Sequence, residues 1–169
     1  MIKLLQKLFF YLFILGGNII LRIYLDNCCY NRPYDDQSQI RISLETQAKI
    51  YIQKMIEAGN FKLVSSYMLL YENSRNRFET KRKAIEQFIK ENTAIYIDDS
   101  YSEQVEIIAN EIQSSGVKSA DAIHTACAII AKCDFMLTTD DRLLKYKGNK
   151  ITIIDPTEFI RKIGSVDID

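Results

Sequence analysis

From residue 21 onward, short β-branched runs alternate with stretches of helical periodicity, and this alternation constrains the fold more than any other feature. LRIYLD at 21–26 is rich in β-branched and aromatic residues and reads as a strand. Residues 40–59 repeat apolar side chains at helical spacing (Leu44, Ala48, Tyr51, Ile52, Met55, Ile56), and Gly59 supplies a stop. FKLVSS is a second strand; Ser66 then caps a helix to Asn73, and residues 78–92 read as another helix. AIYID is a third strand, followed by helices at 102–115 and 119–132, the second capped by Ser119. DFMLTT is a fourth strand, 141–145 a short helical turn, and KITIID a fifth strand. Pro156, suited to a first helical turn, opens a last helix to Ile163.

Strands separated by helices favour parallel pairing with both sheet faces covered. The expected architecture is therefore α/β: a three-layer α/β/α sandwich around a central parallel sheet of four to five strands. A length of 169 residues with 47% hydrophobic side chains suits one such core. No repeat or linker divides residues 21–169, which read as a single domain.

In open parallel sheets the chemistry sits beyond the carboxyl ends of the strands, where strand order reverses. Asp26 closes the first strand, and Asp140 follows the fourth, just after Thr138 and Thr139. Asp121 falls in the first turn of the 119–132 helix, and Glu72 lies on the helix after the second strand. On the 119–132 helix, Ile123, Ala126, Cys127 and Ile130 form the sheet-facing stripe, leaving Asp121, His124 and Thr125 towards a cleft.

Each acid alone has an ordinary explanation. Asp121 and Asp140 suit helix starts, where the dipole favours an anion by about 0.3–1 kcal/mol. Asp26 can start a turn, and Glu72 can pair with Arg75 at i+3. Together, however, they converge on one sheet edge. Two like charges ~4 Å apart repel by about 4 kcal/mol at an effective dielectric near 20. Such a group calls for a divalent cation or shared protons, and oxygen ligands favour Mg²⁺ or Mn²⁺ over zinc.

In their order and spacing, IYLDNCCYNRP, YEN, SADAIHTACAI and FMLTTDDRLLK resemble a PIN domain. That family includes the VapC-type ribonuclease toxins of prokaryotic toxin–antitoxin modules. The resemblance spans residues 21–155 and is most specific in the last two motifs. It implies that Asp26, Glu72, Asp121 and Asp140 are the catalytic, metal-binding acids, with Thr138 and Asn27 supporting them. The family usually places Thr or Ser, then Asn or Ser, after the first aspartate; Asn27 and Cys28 stand there instead, altering the hydrogen bonding beside Asp26. The implied activity is Mg²⁺- or Mn²⁺-dependent hydrolysis of RNA phosphodiester bonds by a cytoplasmic endoribonuclease. The implied partners are a cognate antitoxin and a second copy of the chain in a homodimer. The alternative is a catalytically silent PIN-like module that binds RNA or protein, against which the complete acidic quartet argues. A haloacid-dehalogenase-type phosphatase is excluded, because Cys28 stands where a second aspartate is needed.

The 22 basic and 22 acidic side chains cancel, so no global field draws the chain to nucleic acid and any RNA contact must be local. Arg32, Arg75 and Arg142 lie close in sequence to the acids and are the expected phosphate contacts. The Lys81–Lys83 run reads equally well as a solvated helix face. Tyr30 and Tyr34 can stack on bases or pack their loop. The single His124 reads as a polar residue on the helix face.

The 4 cysteines form no CxxC pair or zinc knuckle and read as reduced thiols. Residues 1–20 differ from the rest: Lys3 and Lys7 precede an apolar run that Gly16, Gly17 and Asn18 interrupt. Three readings stay open for this leader: a start codon assigned too early, an amphipathic or anchoring helix, and a secretory signal. The run is short of the roughly 18–20 residues of a membrane span and lacks a small-x-small cleavage site. Membrane association is expected only through it.

Overall fold

In a computed structural model, residues 20–164 are described. The leader, apart from Ile20, lies outside this range. Five parallel strands form one sheet: β1 (Leu21–Leu25), β2 (Phe61–Ser66), β3 (Thr93–Ile97), β4 (Phe135–Leu137) and β5 (Thr152–Ile154), in the order β3-β2-β1-β4-β5. The chain lays down β1, β2 and β3 in one direction, then crosses back to build β4 and β5 on the other side of β1. Strand order thus reverses between β1 and β4. Their register, from Ile23↔Phe135 to Leu25↔Leu137, places Asp26 and Thr138 at the same level just beyond the strand ends.

Eight helices complete the described residues: α1 (Asn27–Asn31), α2 (Ile40–Glu57), α3 (Tyr67–Ser74), α4 (Glu79–Asn92), α5 (Ser102–Gln113), α6 (Ser119–Ile130), α7 (Asp141–Leu144) and α8 (Pro156–Gly164). Side chains alternate across a strand, so neighbouring positions feed opposite cores. Tyr24, Val64, Ile97 and Met136 pack with α5 and α6, whose Ala109, Ala122 and Ala126 allow close approach. Ile23, Leu25, Leu63 and Leu137 pack on the other face against Ile52 of α2, Ile85 and Ile89 of α4, and Phe159 of α8. Each such aliphatic side chain contributes about 1.5–3 kcal/mol when fully buried. Covering both faces produces the expected three layers around a five-stranded sheet.

Local details differ from the sequence reading where a short-range interaction decides. Asp26 not only ends β1 but caps α1, accepting the Asn27 N–H, so Cys28 and Cys29 lie on a short helix that the sequence reading did not include. Ser66 caps α3 as expected, accepting the Leu69 N–H. Ser119 is the first residue of α6, with Lys118 at the cap position and no side-chain cap. Helix α2 stops at Glu57, and Gly59 turns the chain with φ +79°, a conformation glycine adopts at little cost. All four cysteines are free thiols. No helix among the described residues is long and apolar enough to cross a membrane.

Candidate active site

Asp26, Glu72, Asp121 and Asp140 line one open cleft over the β1/β4 switch point, together with Asn27, Cys28 and Arg32. The main chain fixes the cleft floor. Asp26 N–H donates to the Leu137 carbonyl at 2.9 Å, and Thr138 N–H donates to the Ile154 carbonyl at 3.1 Å. The loops therefore leave the sheet directly beneath the acids.

Asp26 is 4% exposed and richly hydrogen-bonded. Its Oδ1 accepts the Asn27 backbone N–H at 2.7 Å. Its Oδ2 accepts the Thr138 hydroxyl at 2.8 Å and the Cys28 thiol at 3.1 Å. Buried polar oxygens need such donors as partners. Cys28 thus supplies, through sulfur, a donor beside Asp26, and its Sγ also accepts the Thr139 N–H at 3.2 Å. Thr138 Oγ1 serves a second carboxylate-bearing residue by accepting the Asp140 N–H at 3.2 Å. Asp140 itself caps α7, its Oδ1 accepting the Arg142 N–H at 2.7 Å. Asp141 points away and forms a bidentate pair with Arg41 at 2.8 and 2.7 Å.

His124 is placed differently from the sequence expectation. Instead of lying open on the helix face it is 1% exposed behind the cleft acids, and Thr125 beside it is fully buried. The imidazole Nε2 lies 2.9 Å from Glu72 Oε2 and 4.0 Å from Asp26 Oδ1. Its Nδ1 lies 2.7 Å from the Tyr24 hydroxyl, which is 2.7 Å from Ser66 Oγ. Asp26, Glu72 and His124 together offer metal-ligand atoms within 4.8 Å of one another. The sequence signal was present: the sole histidine stands one helical turn after Asp121. What it lacked was the partner, since Glu72 lies on another helix.

The charges perturb one another. Burial, then Asp26, then Asp140, push the Asp121 carboxyl up to about 6. The His124 hydrogen bond holds Glu72 below the ordinary carboxylate range despite its partial burial. Burial pulls the His124 imidazole down, but the Glu72 hydrogen bond and the charges of Asp26, Glu72 and Asp121 outweigh it and hold it above its ordinary value. Oxygen donors predominate, and Asp121 is repelled by two neighbouring carboxylates, so the residues fit a hard divalent cation.

The basic residues are less uniform. Arg32 lines the cleft, yet its Nε sits 2.7 Å from Oε2 of the buried Glu45 in a poorly aligned ion contact, and its Nη1 reaches Asp35 at 3.1 Å. Arg75 is exposed and donates to the Tyr71 hydroxyl at 2.7 Å, so it does not pair with Glu72. Arg142 is exposed on α7. Tyr30, on α1, is fully buried and cannot stack on a base; Tyr34 is 51% exposed.

No protein-family model matches the chain, and none of the curated proteins compared matches it. Solved structures do. VapBC2 from Rickettsia felis, bound to a DNA fragment from its promoter, superposes with TM-score 0.52 at 11% identity over 80% of this chain and 98% of that one. FitAcB from Neisseria gonorrhoeae superposes with TM-score 0.51 at 17% identity over 79% of this chain and 97% of that one. At such identities the likeness is one of architecture. Five parallel strands in the order β3-β2-β1-β4-β5, helices on both faces and an acidic cleft at the switch point together give this chain a PIN-domain fold.

Proposed function

We propose that this protein is a Mg²⁺- or Mn²⁺-dependent endoribonuclease and the toxin of a toxin–antitoxin module, with RNA as substrate and an antitoxin as partner. The observation that carries the reading is the convergence of Asp26, Glu72, Asp121 and Asp140, from four different elements, on one cleft. Burial, with added repulsion from Asp26 and Asp140, raises the Asp121 carboxyl to about 6, and this supports the reading because a bound cation would offset both costs. The toxin–antitoxin role is drawn from the fold shared with VapBC2 and FitAcB.

Asp26, Glu72, Asp121 and Asp140 would hold the cation. When bound, it supplies a polarised phosphate oxygen and a more acidic water. Asp26 is fixed in place by the Asn27 N–H, the Thr138 hydroxyl and the Cys28 thiol. Asp140 is oriented by the α7 cap. Glu72 or Asp121 accepts the proton of the attacking water as general base. Arg32, at the cleft, and Arg75 and Arg142, on the surface, contact phosphates flanking the scissile bond. We further propose that the protein acts as a cytoplasmic homodimer.

Calorimetric titration with Mg²⁺ and Mn²⁺ tests the reading. Saturable binding by the wild type that Asp26→Asn abolishes is expected, together with RNA products bearing 5′-phosphates. Absence of cation binding would leave the silent PIN-like module as the better description.

A further inference from the structure

The run Ser66–Tyr24–His124–Glu72 joins β2, β1, α6 and α3 through contacts of 2.7, 2.7 and 2.9 Å. Ser66 and Tyr24 are fully buried and His124 is 1% exposed, so each polar atom must find its partner inside the protein. We infer that His124 is a positioning residue, donating its Nε2 hydrogen to Glu72 so that this carboxylate is held towards Asp26, and that it is not itself a ligand of the cation. This role presupposes the metal site proposed above.

Hydrogen-bond bookkeeping gives the direction. With hydrogen on Nε2 and a bare Nδ1, the Tyr24 hydroxyl donates to Nδ1 and the Ser66 hydroxyl donates to Tyr24. Ser66 Oγ remains free to accept the Leu69 N–H at 3.3 Å, which caps α3. Every donor and acceptor in the run is then used. Ligation of a cation through Nε2 needs the reverse: a bare Nε2 facing the Glu72 carboxylate and a hydrogen on Nδ1. Tyr24 would then donate to Ser66, leaving the Ser66 hydrogen only the Cys127 sulfur, a weak acceptor. A bare nitrogen 2.9 Å from a carboxylate oxygen also sets two lone pairs against each other. An imidazolium keeps the Nε2 hydrogen on Glu72 as well, so the donor role holds in either charge state.

The same run ties Glu72 to the fold from both ends of α3. Ser66 caps the helix at its start, and Glu72 sits near its end. Tyr24 lies on β1 two residues before Asp26, so the contact that orients His124 comes from the strand that delivers Asp26. Outer partners of this kind are worth roughly 10–100-fold in metal affinity when removed.

One histidine in the sequence makes the test direct. A long-range ¹H–¹⁵N spectrum of tag-free, full-length protein reports the two ring nitrogens without assignment. Nε2 is expected to be protonated both in chelator and after Mg²⁺ is added. A tautomer with hydrogen on Nδ1 alone, or loss of the Nε2 hydrogen on adding Mg²⁺, would overturn the inference and make His124 a ligand. Mg²⁺ titrations of His124→Ala and His124→Gln then measure the consequence. The alanine variant should bind roughly 10–100-fold more weakly. Glutamine places an amide donor near the Nε2 position and should recover most of that loss. Equal loss in both variants, or none in either, would count against positioning. Failure of the wild type to bind Mg²⁺ would instead remove the metal reading, while the ring spectrum still decides which nitrogen carries the hydrogen.

Discussion

Asp121→Asn should stabilise the protein in chelator, and the gain should appear only as pH rises. Burial and the charges of Asp26 and Asp140 push Asp121 from 3.8 up to about 6. One unit corresponds to about 1.36 kcal/mol, so the displacement sets a ceiling of about 3 kcal/mol. Asp121 is only partly buried, and solvent screening reduces the expected effect to about 1–2 kcal/mol. The sign follows from proton linkage. Below the unfolded value the carboxyl is neutral in both states, and asparagine changes little. Between the two values the folded chain holds a proton that the unfolded chain has released, so wild-type stability falls as pH rises. Above about 6 the full cost is present in the wild type and absent in the variant. For a domain of this size the melting temperature should rise by roughly 2–8 °C at neutral pH and by almost nothing near pH 4. Paired melting curves in chelator, wild type against Asp121→Asn, read the charge of Asp121 together with its coupling to His124, while titrations distant from the cleft cancel in the difference. A difference that does not vary with pH, or a variant less stable than wild type at neutral pH, would refute the burial and repulsion that displace Asp121.

Lys49 carries a second pH signature. It is 6% exposed, lies 5.7 Å from the Tyr30 ring centroid with no ion pair among the described residues, and burial lowers it to about 8. The folded state therefore bears the cost of a buried charge below that value and loses the cost as pH rises towards the unfolded value. Lys49→Met should add up to about 3 kcal/mol at neutral pH, a gain that disappears in melts at strongly alkaline pH. Thr138→Val removes a donor to Asp26 and should cost about 1–3 kcal/mol by denaturant titration, with weaker Mg²⁺ binding. Arg32→Ala removes one of two cations beside the buried Glu45, whose other oxygen keeps Arg41 at 2.7 Å, and should cost only about 1 kcal/mol while lowering RNA affinity and its salt dependence, which filter binding at two salt concentrations would read.

The layers and the positions of the acids were legible because each rests on a local pattern. Short β-branched and aromatic runs marked the strands, helical spacing marked α2, α4 and α6, and Asp26 and Asp140 stood where such strands stop. Features set by contacts distant in sequence were not legible. Helix α1 is five residues long, too short for a periodic signal, and exists because Asp26 caps it. Tyr30 is buried because α1 turns it under α2 and against Phe88, 6.2 Å between centroids. His124 was read by counting helix faces, which cannot reveal that Glu72 and Tyr24 enclose the polar side of α6. Arg32 seemed free in sequence, whereas Glu45 on α2 engages it. The switch point itself was anticipated only in principle: strand order is a tertiary property, and it decides that Asp26 and Asp140 meet.

The most direct measurement of the central claim is cleavage of one structured RNA by wild type, Asp26→Asn and Asp141→Asn, each with Mg²⁺ and with chelator. Asp26→Asn keeps the size of a 4% exposed residue while removing its charge, and Asp141 faces Arg41 instead of the cleft. The account predicts Mg²⁺-dependent cleavage by the wild type, nearly the same rate for Asp141→Asn, and none for Asp26→Asn with its fold intact. Equal cleavage by wild type and Asp26→Asn, or cleavage that persists in chelator, would contradict it.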